Sequence, residues 1–389
     1  MLLQPGSRVL WVNPSFLDYR IPLYNELNKR LNGHFHFIYS HNRVPERCHD
    51  RLISILGENA HPLESERIFS IGNSASDFAN SSINIPFPKG LYKTIKKVKP
   101  NILIAEGFFQ FTPWALFYAI VHRKPIFIAY ERTAHTERNC PWWRKFYRNF
   151  VSLFIKGFLA NGSLTKEYLI SQGIKENKIF TGCMCADSKD LRTNSQELTD
   201  RDKINFESKI GLNPIKGIRY TFVGRLIELK GINYLLNVWR DHCKEFPDDE
   251  MVIVGEGPLL ENYRQDYLQD KSIKFLGSIP YHEIYKIYSI SDVFVIPTLE
   301  DNWSLVVPEA MACGLPIACS IYNGCHPELV HMDINGITFD PLSPDSIRYA
   351  LSYFHSHDLK VMGEASSRIE LDFTPEKTAD KILKAFRNL

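Results

Sequence analysis

Strand-length apolar runs alternate with amphipathic stretches along this 389-residue chain, and they do so in two series. The first series comprises residues 8–12, 34–39, 102–105, 125–129 and 157–160. The second comprises 219–223, 250–254, 273–276, 293–297 and 316–318. Strands spaced by helices imply parallel sheets built from βαβ units, so the expected fold class is α/β with two doubly wound, Rossmann-like domains. Between the series lies 187–214, rich in Asp, Lys, Asn, Ser and Thr and poor in large apolar residues, which reads as the linker. At about 150 residues per domain, the length agrees with two domains, expected at 1–188 and 189–371. A closing segment, 372–389, holds a helix over 375–388 that starts after Thr374 as N-cap and carries Ala379, Ile382, Leu383 and Phe386 on one face. The first domain is one place for it to pack. In such folds the ligand is expected in a cleft beyond the carboxyl ends of the strands, where loops and helix N-termini converge. No internal repeat is visible.

Composition removes other classes. With 44% apolar and 23% charged residues, 21 Gly and 22 Pro, the chain is neither disordered nor collagenous. The most apolar stretch of the first half, 108–121, contains Gln110 and Thr112 and falls short of the ~20 apolar residues a membrane span needs. Residues 1–13 lack the charged head and continuous apolar region of a signal peptide, so the expected location is the cytoplasm. Eight cysteines, at 48, 140, 183, 185, 243, 313, 319 and 325, form no CxxC pair, and reduced, mostly buried thiols are expected. There is no HExxH among the 13 histidines, and Cys325-His326 with His331 lacks a recognisable ligand spacing, so no metal is expected.

Charge is uneven. Residues 1–190 hold 25 Lys+Arg against 15 Asp+Glu, a balance of +10; residues 191–389 hold 21 against 29, a balance of −8. A basic first half suggests an anionic partner: a phosphate-bearing substrate, a membrane surface or nucleic acid. Drift in surface composition is the plain alternative. The segment Arg138 to Phe158 sharpens the question, because Arg138, Arg144, Lys145, Arg148 and Lys156 are interleaved with Trp142, Trp143, Phe146, Tyr147, Phe150 and Phe154. From Trp143 the aromatics follow an i, i+3, i+4, i+7, i+11 stripe that reads largely as ordinary core. Pro141-Trp142-Trp143 beside several cations instead suits the interface of an anionic bilayer, and replacing Arg144, Lys145 and Arg148 is expected to weaken such binding. No recognition-fold signature accompanies these cations, so nucleic acid is not expected.

Three segments of the second half carry candidate chemistry. Phe222-Val223-Gly224-Arg225 leaves a strand and reaches Lys230-Gly231 before an amphipathic helix. A glycine turn with two cations near a helix N-terminus suits an anion, Arg chelating phosphate oxygens and Lys adding a point charge; solvated loop cations are the plain reading. Val254-Gly255-Glu256-Gly257-Pro258 is a second glycine turn that lacks the third glycine of a dinucleotide fingerprint, so it reads as a tight βα turn and NAD is not expected. In 297–316 a strand end crosses a polar turn and enters a helix that stops at Gly314. Asp301 and Glu309 there can accept from sugar and ribose hydroxyls, while backbone N–H groups near Ser304 and Leu305 meet phosphate. Chance N-terminal helix charge, favourable to the dipole, is the alternative.

Together these segments resemble glycosyltransferase family 4. The resemblance rests on the GR…KG segment at 222–231, the GEGP turn at 255–258, Phe275-Leu276-Gly277, Ser291-Asp292-Val293, the acidic motif at 301–309, AMACGLP at 310–316, and Asn323-Gly324 with Glu328. The first half matches more loosely, through residues 19–24 and 131–135. The family implies the two-domain GT-B fold and transfer of a sugar from a nucleotide diphosphate with retention at the anomeric carbon. On that resemblance Arg225 and Lys230 hold the donor diphosphate and offset charge on the leaving group; Gly224 and Gly255 belong to the donor-binding turns. Glu309 binds the ribose, the loop around Ile279 the base, and Asp301 the transferred sugar, with Trp303, Ser304 and Leu305 lining the phosphate. Two departures stand out. The usual Glu-x7-Glu begins here with Asp301, one methylene shorter, and the glycine-rich loop many members carry after the first strand is replaced by Asn13-Pro14-Ser15-Phe16. Many members also place a cleft-facing His after the strand that ends near 129; Glu131 occupies roughly that place and His135 lies four residues on, so either is a candidate contact to sugar or acceptor.

The expected activity is therefore a retaining, metal-independent hexosyltransferase without cofactor. It takes a hexose or N-acetylhexosamine from a nucleotide-sugar donor, UDP-linked in preference to GDP-linked. The expected acceptor is a glycan, lipid-linked through a polyprenyl diphosphate, in polysaccharide or lipopolysaccharide assembly at the inner face of a membrane. Asp248-Asp249-Glu250 echoes the metal-binding acids of the other glycosyltransferase fold but precedes a strand and reads as an exposed loop. Nucleotide-sugar epimerisation or phosphorolysis, and a non-catalytic nucleotide-sugar-binding scaffold, remain as alternatives on the same fold.

Overall fold

The computed structural model describes residues 3–72 and 82–387. The chain divides into two compact units, Met1–Asp187 with Pro375–Leu389, and Ser188–Thr374. Position 388 of the expected closing helix lies outside the described residues.

In the first unit the elements run β1 (Val9–Val12), α1 (Ile21–Arg30), β2 (Phe35–Ser40), α2 (Glu46–Leu56), β3 (Ala60–Leu63), β4 (Glu66–Gly72), β5 (Ser82–Pro88), α3 (Leu91–Val98), β6 (Ile102–Glu106), α4 (Thr112–Val121), β7 (Ile126–Tyr130), α5 (Trp142–Ser152), β8 (Gly157–Ala160), α6 (Ser163–Ser171) and β9 (Ile179–Phe180). Seven strands pair in parallel in the order β3-β2-β1-β6-β7-β8-β9, while β4 and β5 form a separate antiparallel ribbon. The order reverses between β1 and β6, the switch point where such sheets bind ligands. Strands covered on both faces read as continuous apolar runs. Val9 and Trp11 accordingly face a core shared with α1 and α2, while Leu10 and Val12 face one shared with α3, α4 and α5. The closing helix, Pro375–Arg387, joins the first core through Ala379, Ile382, Leu383 and Phe386, whose ring meets Phe127 at 4.8 Å.

The segment around α5 departs from the core reading of its aromatic stripe. Trp142, Phe146 and Phe150 are 78%, 69% and 54% exposed, whereas Arg144 and Arg148 are 7% and 4% exposed. A buried ion pair sets this rotation. Arg148 donates to both oxygens of Glu137, at 2.6 and 3.1 Å, and to the Tyr168 hydroxyl at 3.2 Å. Arg132 approaches Glu137 at 3.2 Å. Burial works against the Glu137 carboxylate, yet Arg148 and then Arg132 hold its pKa below the ordinary carboxylate value.

The second unit contains α7 (Lys189–Glu197), α8 (Asp200–Lys209), β10 (Arg219–Val223), α9 (Ile232–Glu245), β11 (Glu250–Val254), α10 (Leu260–Asp266), β12 (Ile273–Gly277), α11 (Ile284–Ser289), β13 (Val293–Ile296), α12 (Val306–Ala312), β14 (Ile317–Ser320), α13 (His326–Leu329), β15 (Gly336–Phe339), α14 (Pro344–Tyr353) and α15 (Leu359–Glu370). Its six strands are all parallel, in the order β12-β11-β10-β13-β14-β15, so the switch point lies between β10 and β13. The linker expected over 187–214 is instead helical. Thr199 and Asp202 form a capping box on α8, α7 packs on α11 and α12, and Leu191 and Phe206 are buried. The buried Arg219 guanidinium bonds Glu207 of α8, Glu250 at 2.8 Å and the Ile290 carbonyl at 2.9 Å, tying α8 to the sheet.

That network also corrects the exposed-loop reading of 248–250, since only Asp248 is exposed. Asp249 accepts from the Ile218 N–H at 2.8 Å and meets the Nε2 atoms of His242 and His355, each at 2.8 Å. A buried carboxylate satisfied on both oxygens is structural.

Both units are doubly wound, each a parallel sheet covered by helices on both faces, and the fold class is α/β of the GT-B kind.

Candidate functional site

In the second unit the predicted donor residues, apart from Glu309, fall on segments leaving the carboxyl ends of the strands. Gly224 and Arg225 follow β10, Gly255 follows β11, Ile279 follows β12, and Asp301, Trp303, Ser304 and Leu305 lie between β13 and α12. Glu309 sits within α12, 8% exposed. Arg225 is exposed and Ile279 half-buried.

The two glycine turns are packed against each other. Gly224 N–H bonds the Val254 carbonyl at 3.0 Å and Leu226 N–H the Glu256 carbonyl at 2.8 Å. A Cβ on Gly255 would lie 1.9 Å from the Gly224 carbonyl oxygen, at a φ of +136°. Only glycine tolerates that approach, so the GEGP turn shapes the loop carrying Arg225. Gly231, with φ of +65°, lets the start of α9 pass the Pro297 carbonyl, where a Cβ would meet oxygen at 2.2 Å. Leu299 N–H and the Thr298 hydroxyl both bond the Leu229 carbonyl, at 2.8 and 3.0 Å. The loops after β10 and β13 are thereby joined across the switch point.

At that junction Lys230 Nζ donates to Asp301 Oδ2 at 2.6 Å. The Ser304 hydroxyl donates to the same oxygen at 2.6 Å, and the Trp303 N–H to Oδ1 at 3.0 Å. Asp301 is held further by its backbone, which pairs with Tyr322 and Gly324. The buried Asn323 accepts from the Ser304 N–H at 3.2 Å. Of the backbone donors expected to face phosphate near Ser304 and Leu305, the Ser304 N–H is therefore engaged within the protein, as is the neighbouring Trp303 N–H. Among the described residues, the buried Trp303 Nε1 and Asn323 Nδ2 at this turn have no acceptor in the protein. Glu309 adjoins the buried Tyr288; burial first, then the Glu309 charge, pushes the Tyr288 phenol far above its ordinary value.

In the first unit a polar cavity of about 250 Å³ opens at the carboxyl ends of β1 and β6, lined by Asn13, Ser15, Tyr19, Arg20, Glu106 and Glu131 among others. Asn13, Pro14, Ser15 and Phe16 replace the glycine loop there. A smaller adjoining cavity of about 180 Å³ shares Glu106, Gln110 and Glu131 and adds Phe109 and Arg148. Glu131 thus lines both. His135 is half-buried in the turn after β7 and is not among the residues lining either cavity.

Glu106 was not singled out from sequence. It accepts from Trp11 Nε1 at 3.0 Å and pairs with the buried Arg20 at 3.3 Å. Burial raises its pKa above the ordinary carboxylate value; Arg20 opposes, and the Glu131 charge adds. The only sequence signal was an acid closing the apolar run 102–105.

Two further clusters bring potential cation ligands within 4.8 Å, His41–Glu46–His49 and His242–Asp249–His355. Neither contains a predicted site residue. No helix among the described residues is long and apolar enough to cross a membrane.

The loops just described fall inside a recognisable segment. Residues 203–366 match the family described as glycosyl transferases group 1. The match takes in Gly224, Arg225, Lys230, Gly255, Ile279, Asp301 and Glu309. An uncharacterized glycosyltransferase of Methanocaldococcus jannaschii is 33% identical over 162 residues, 40% of each chain. The chain spans less than half the length of the first curated relatives it matches. Among solved structures, a glycosyltransferase from Rickettsia africae superposes with a TM-score of 0.74 at 17% identity, covering 99% of this chain and 98% of that one. HepE of Anabaena, solved with UDP and glucose, superposes with a TM-score of 0.71 at 13% identity, covering 98% and 100%. These likenesses establish the GT-B fold over the whole chain.

Proposed function

We propose that this protein is a retaining glycosyltransferase that moves a hexose or N-acetylhexosamine from a UDP-sugar to a glycan acceptor carried on a lipid phosphate, as in polysaccharide or lipopolysaccharide assembly. The observation that carries the reading is the Lys230–Asp301 pair at the β10/β13 switch point, inside the matched segment and between the Arg225 turn and Glu309. UDP is favoured because a protein of the same fold is solved with UDP and glucose.

On this reading Arg225 and Lys230 bind the diphosphate, and Lys230 exchanges part of its bond to Asp301 for phosphate oxygen. Asp301 then accepts from a hydroxyl of the transferred sugar, Glu309 accepts from the ribose, and the Ile279 loop receives the base. The bond from the anomeric carbon to the phosphate oxygen breaks as the acceptor oxygen bonds to the same face. The acceptor proton passes to the departing phosphate, whose charge the two cations offset. No metal or cofactor takes part in the step. In the first unit, Glu106 and Glu131 offer carboxylates to acceptor hydroxyls in the polar cavity beside Arg20, with His135 nearby in sequence. The enzyme works peripherally at the cytoplasmic face of a membrane.

The test is release of nucleoside diphosphate from a panel of UDP- and GDP-sugars, with and without simple acceptors. One UDP-sugar turned over with retained anomeric configuration is the expected result. A folded protein that neither binds nor turns over any donor would overturn the reading.

A further inference from the structure

We propose that the outward face of α5, with the exposed side of α4, is a docking surface for an anionic bilayer. This deepens the lipid-linked acceptor reading by naming the surface that meets the lipid. Three independent features converge on it.

The first is the inversion of α5. Trp142, Phe146 and Phe150 point outward with Leu153 and Phe154 just beyond the helix, while Arg144 and Arg148 point in. α4, which covers the same face of the sheet, exposes Trp114, Phe117, Ile120 and Val121. Soluble surfaces rarely carry so many large apolar side chains together, and Trp and Phe with flanking Lys are the composition of helices lying in a membrane interface.

The second is charge. Neither helix contains an acidic residue. Between positions 107 and 178 there are eleven Lys or Arg and four acids; of those four, Glu131 lines the polar cavity, Glu137 is buried against Arg148, and the exposed Glu167 and Glu176 follow α5 in sequence, Glu176 pairing with Lys166 at 2.6 Å. With Arg144 and Arg148 buried, the positive charge beside the face comes instead from the half-buried Lys145 and Lys156 and the exposed Lys175, which lines the cavity next to Leu153. Such a face is complementary to an anionic surface, and a second copy of the same chain would oppose it with like charge.

The third is a cavity of about 350 Å³ beside Leu153, lined by Asn149, Ser152, Lys175 and Lys178 among others. Lys178 Nζ is anchored to the Ile155 carbonyl at 3.0 Å and Lys175 is exposed. Amide and ammonium donors next to exposed apolar side chains suit a phosphate headgroup whose acyl chains lie alongside α5.

The experiment is co-sedimentation of the full chain with phosphatidylcholine vesicles and with vesicles that also contain phosphatidylglycerol. The expected result is binding to the mixed vesicles that weakens with salt. The triple variant Trp142→Ser, Phe146→Ser, Phe150→Ser weakens binding by at least about tenfold, and Lys175→Gln weakens it by about fivefold. Because these side chains are exposed, the unfolding temperature of each variant stays at the wild-type value. Unchanged vesicle binding by the triple variant overturns the proposal, as does absence of binding by the wild type. A concentration-dependent dimer that the triple variant abolishes, with no vesicle binding, assigns the face to a second copy and likewise overturns it. Nucleoside diphosphate release in solution separates the two readings: the triple variant retains it, and its failure in a wild type that still binds vesicles overturns the transferase reading alone.

Discussion

Lys230→Ala separates a cation that acts on the donor from one that merely holds a loop. Lys230 Nζ lies 2.6 Å from Asp301 Oδ2, with the two side chains 19% and 18% exposed. Removing a partner from a fully buried pair costs about 3–5 kcal/mol because a charge is stranded. Here Asp301 keeps the Ser304 hydroxyl at 2.6 Å and the Trp303 N–H at 3.0 Å, so the carboxylate is not stranded. The stability cost is expected near that of a partly exposed pair, about 1 kcal/mol, a fall in Tm of about 2–4 °C for a unit of this size. The catalytic cost is larger. A positioned charge opposite the developing negative charge contributes about 100- to 1000-fold to turnover, about 2.7–4 kcal/mol. The assay is kcat for nucleoside diphosphate release, measured well below the variant's Tm so that unfolding does not contribute. A variant whose kcat stays within about threefold of wild type, under 1 kcal/mol, would show that Lys230 is a structural partner of Asp301 and that the diphosphate is held elsewhere.

Three other expectations follow from the same geometry. Glu137→Ala strands the buried Arg148 guanidinium and should destabilise the first unit by about 3–5 kcal/mol, read as a lower denaturant midpoint; replacing both residues with apolar ones of similar volume should recover most of the loss. Gly255→Ala drives a methyl group into the Gly224 carbonyl and should cost at least about 1–3 kcal/mol, with donor affinity lost in the fraction that still folds; thermal unfolding and donor titration check both. Asp249 titrates below its ordinary value of 3.8, because the bonds from His242, Ile218 and His355 outweigh its burial. A depressed carboxyl contributes stability that is present above the unfolded-state value and lost as pH falls through the folded-state one. Asp249→Asn should therefore destabilise the protein at neutral pH, and the gap to wild type should close below about pH 4, measured as urea midpoints.

Much of the architecture is legible from period and burial alone. Strands such as β1, β7 and β13 are buried over their full length and read as unbroken apolar runs. The elements that escape such reading lack that signal: β3 contains His61 and Pro62, β9 is two residues long, and β15 opens with Gly336. Residues 187–214 look like a linker because α7 and α8 bury little more than Leu191, Phe206 and Glu207. What holds α8 is the guanidinium of Arg219, a contact between positions twelve apart that no local pattern reveals. In the site, the motif order places Arg225, Lys230 and Asp301 after strand ends and Glu309 on the helix that follows, but the partner of Lys230 lies 71 positions away. Glu106 carries even less warning, since its ties to Trp11 and Arg20 depend on β1 and β6 becoming neighbours.

The rotation of α5 shows why composition identifies a surface more readily than its orientation. On hydrophobic period alone the aromatic stripe belongs in the core, and burying a Phe contributes about 1.5–3 kcal/mol. Turning the helix that way would place Arg144 and Arg148 outward and leave the buried Glu137 without the bidentate Arg148, with Arg132 still beside it. Losing the main partner of a buried carboxylate is costly, and the Glu137 side chain is fully buried. Inward, Arg148 satisfies two carboxylate contacts and the Tyr168 hydroxyl, and its guanidinium lies over Phe109 and Tyr130 at 5.7 and 5.9 Å. The aromatic rings then pay no penalty that a membrane would not remove. A chain that stayed in water would gain by polar residues at 142, 146 and 150, which face away from every contact that orients the helix. Trp and Phe at these positions fit the bilayer surface proposed above, as does the absence of acids from α4 and α5.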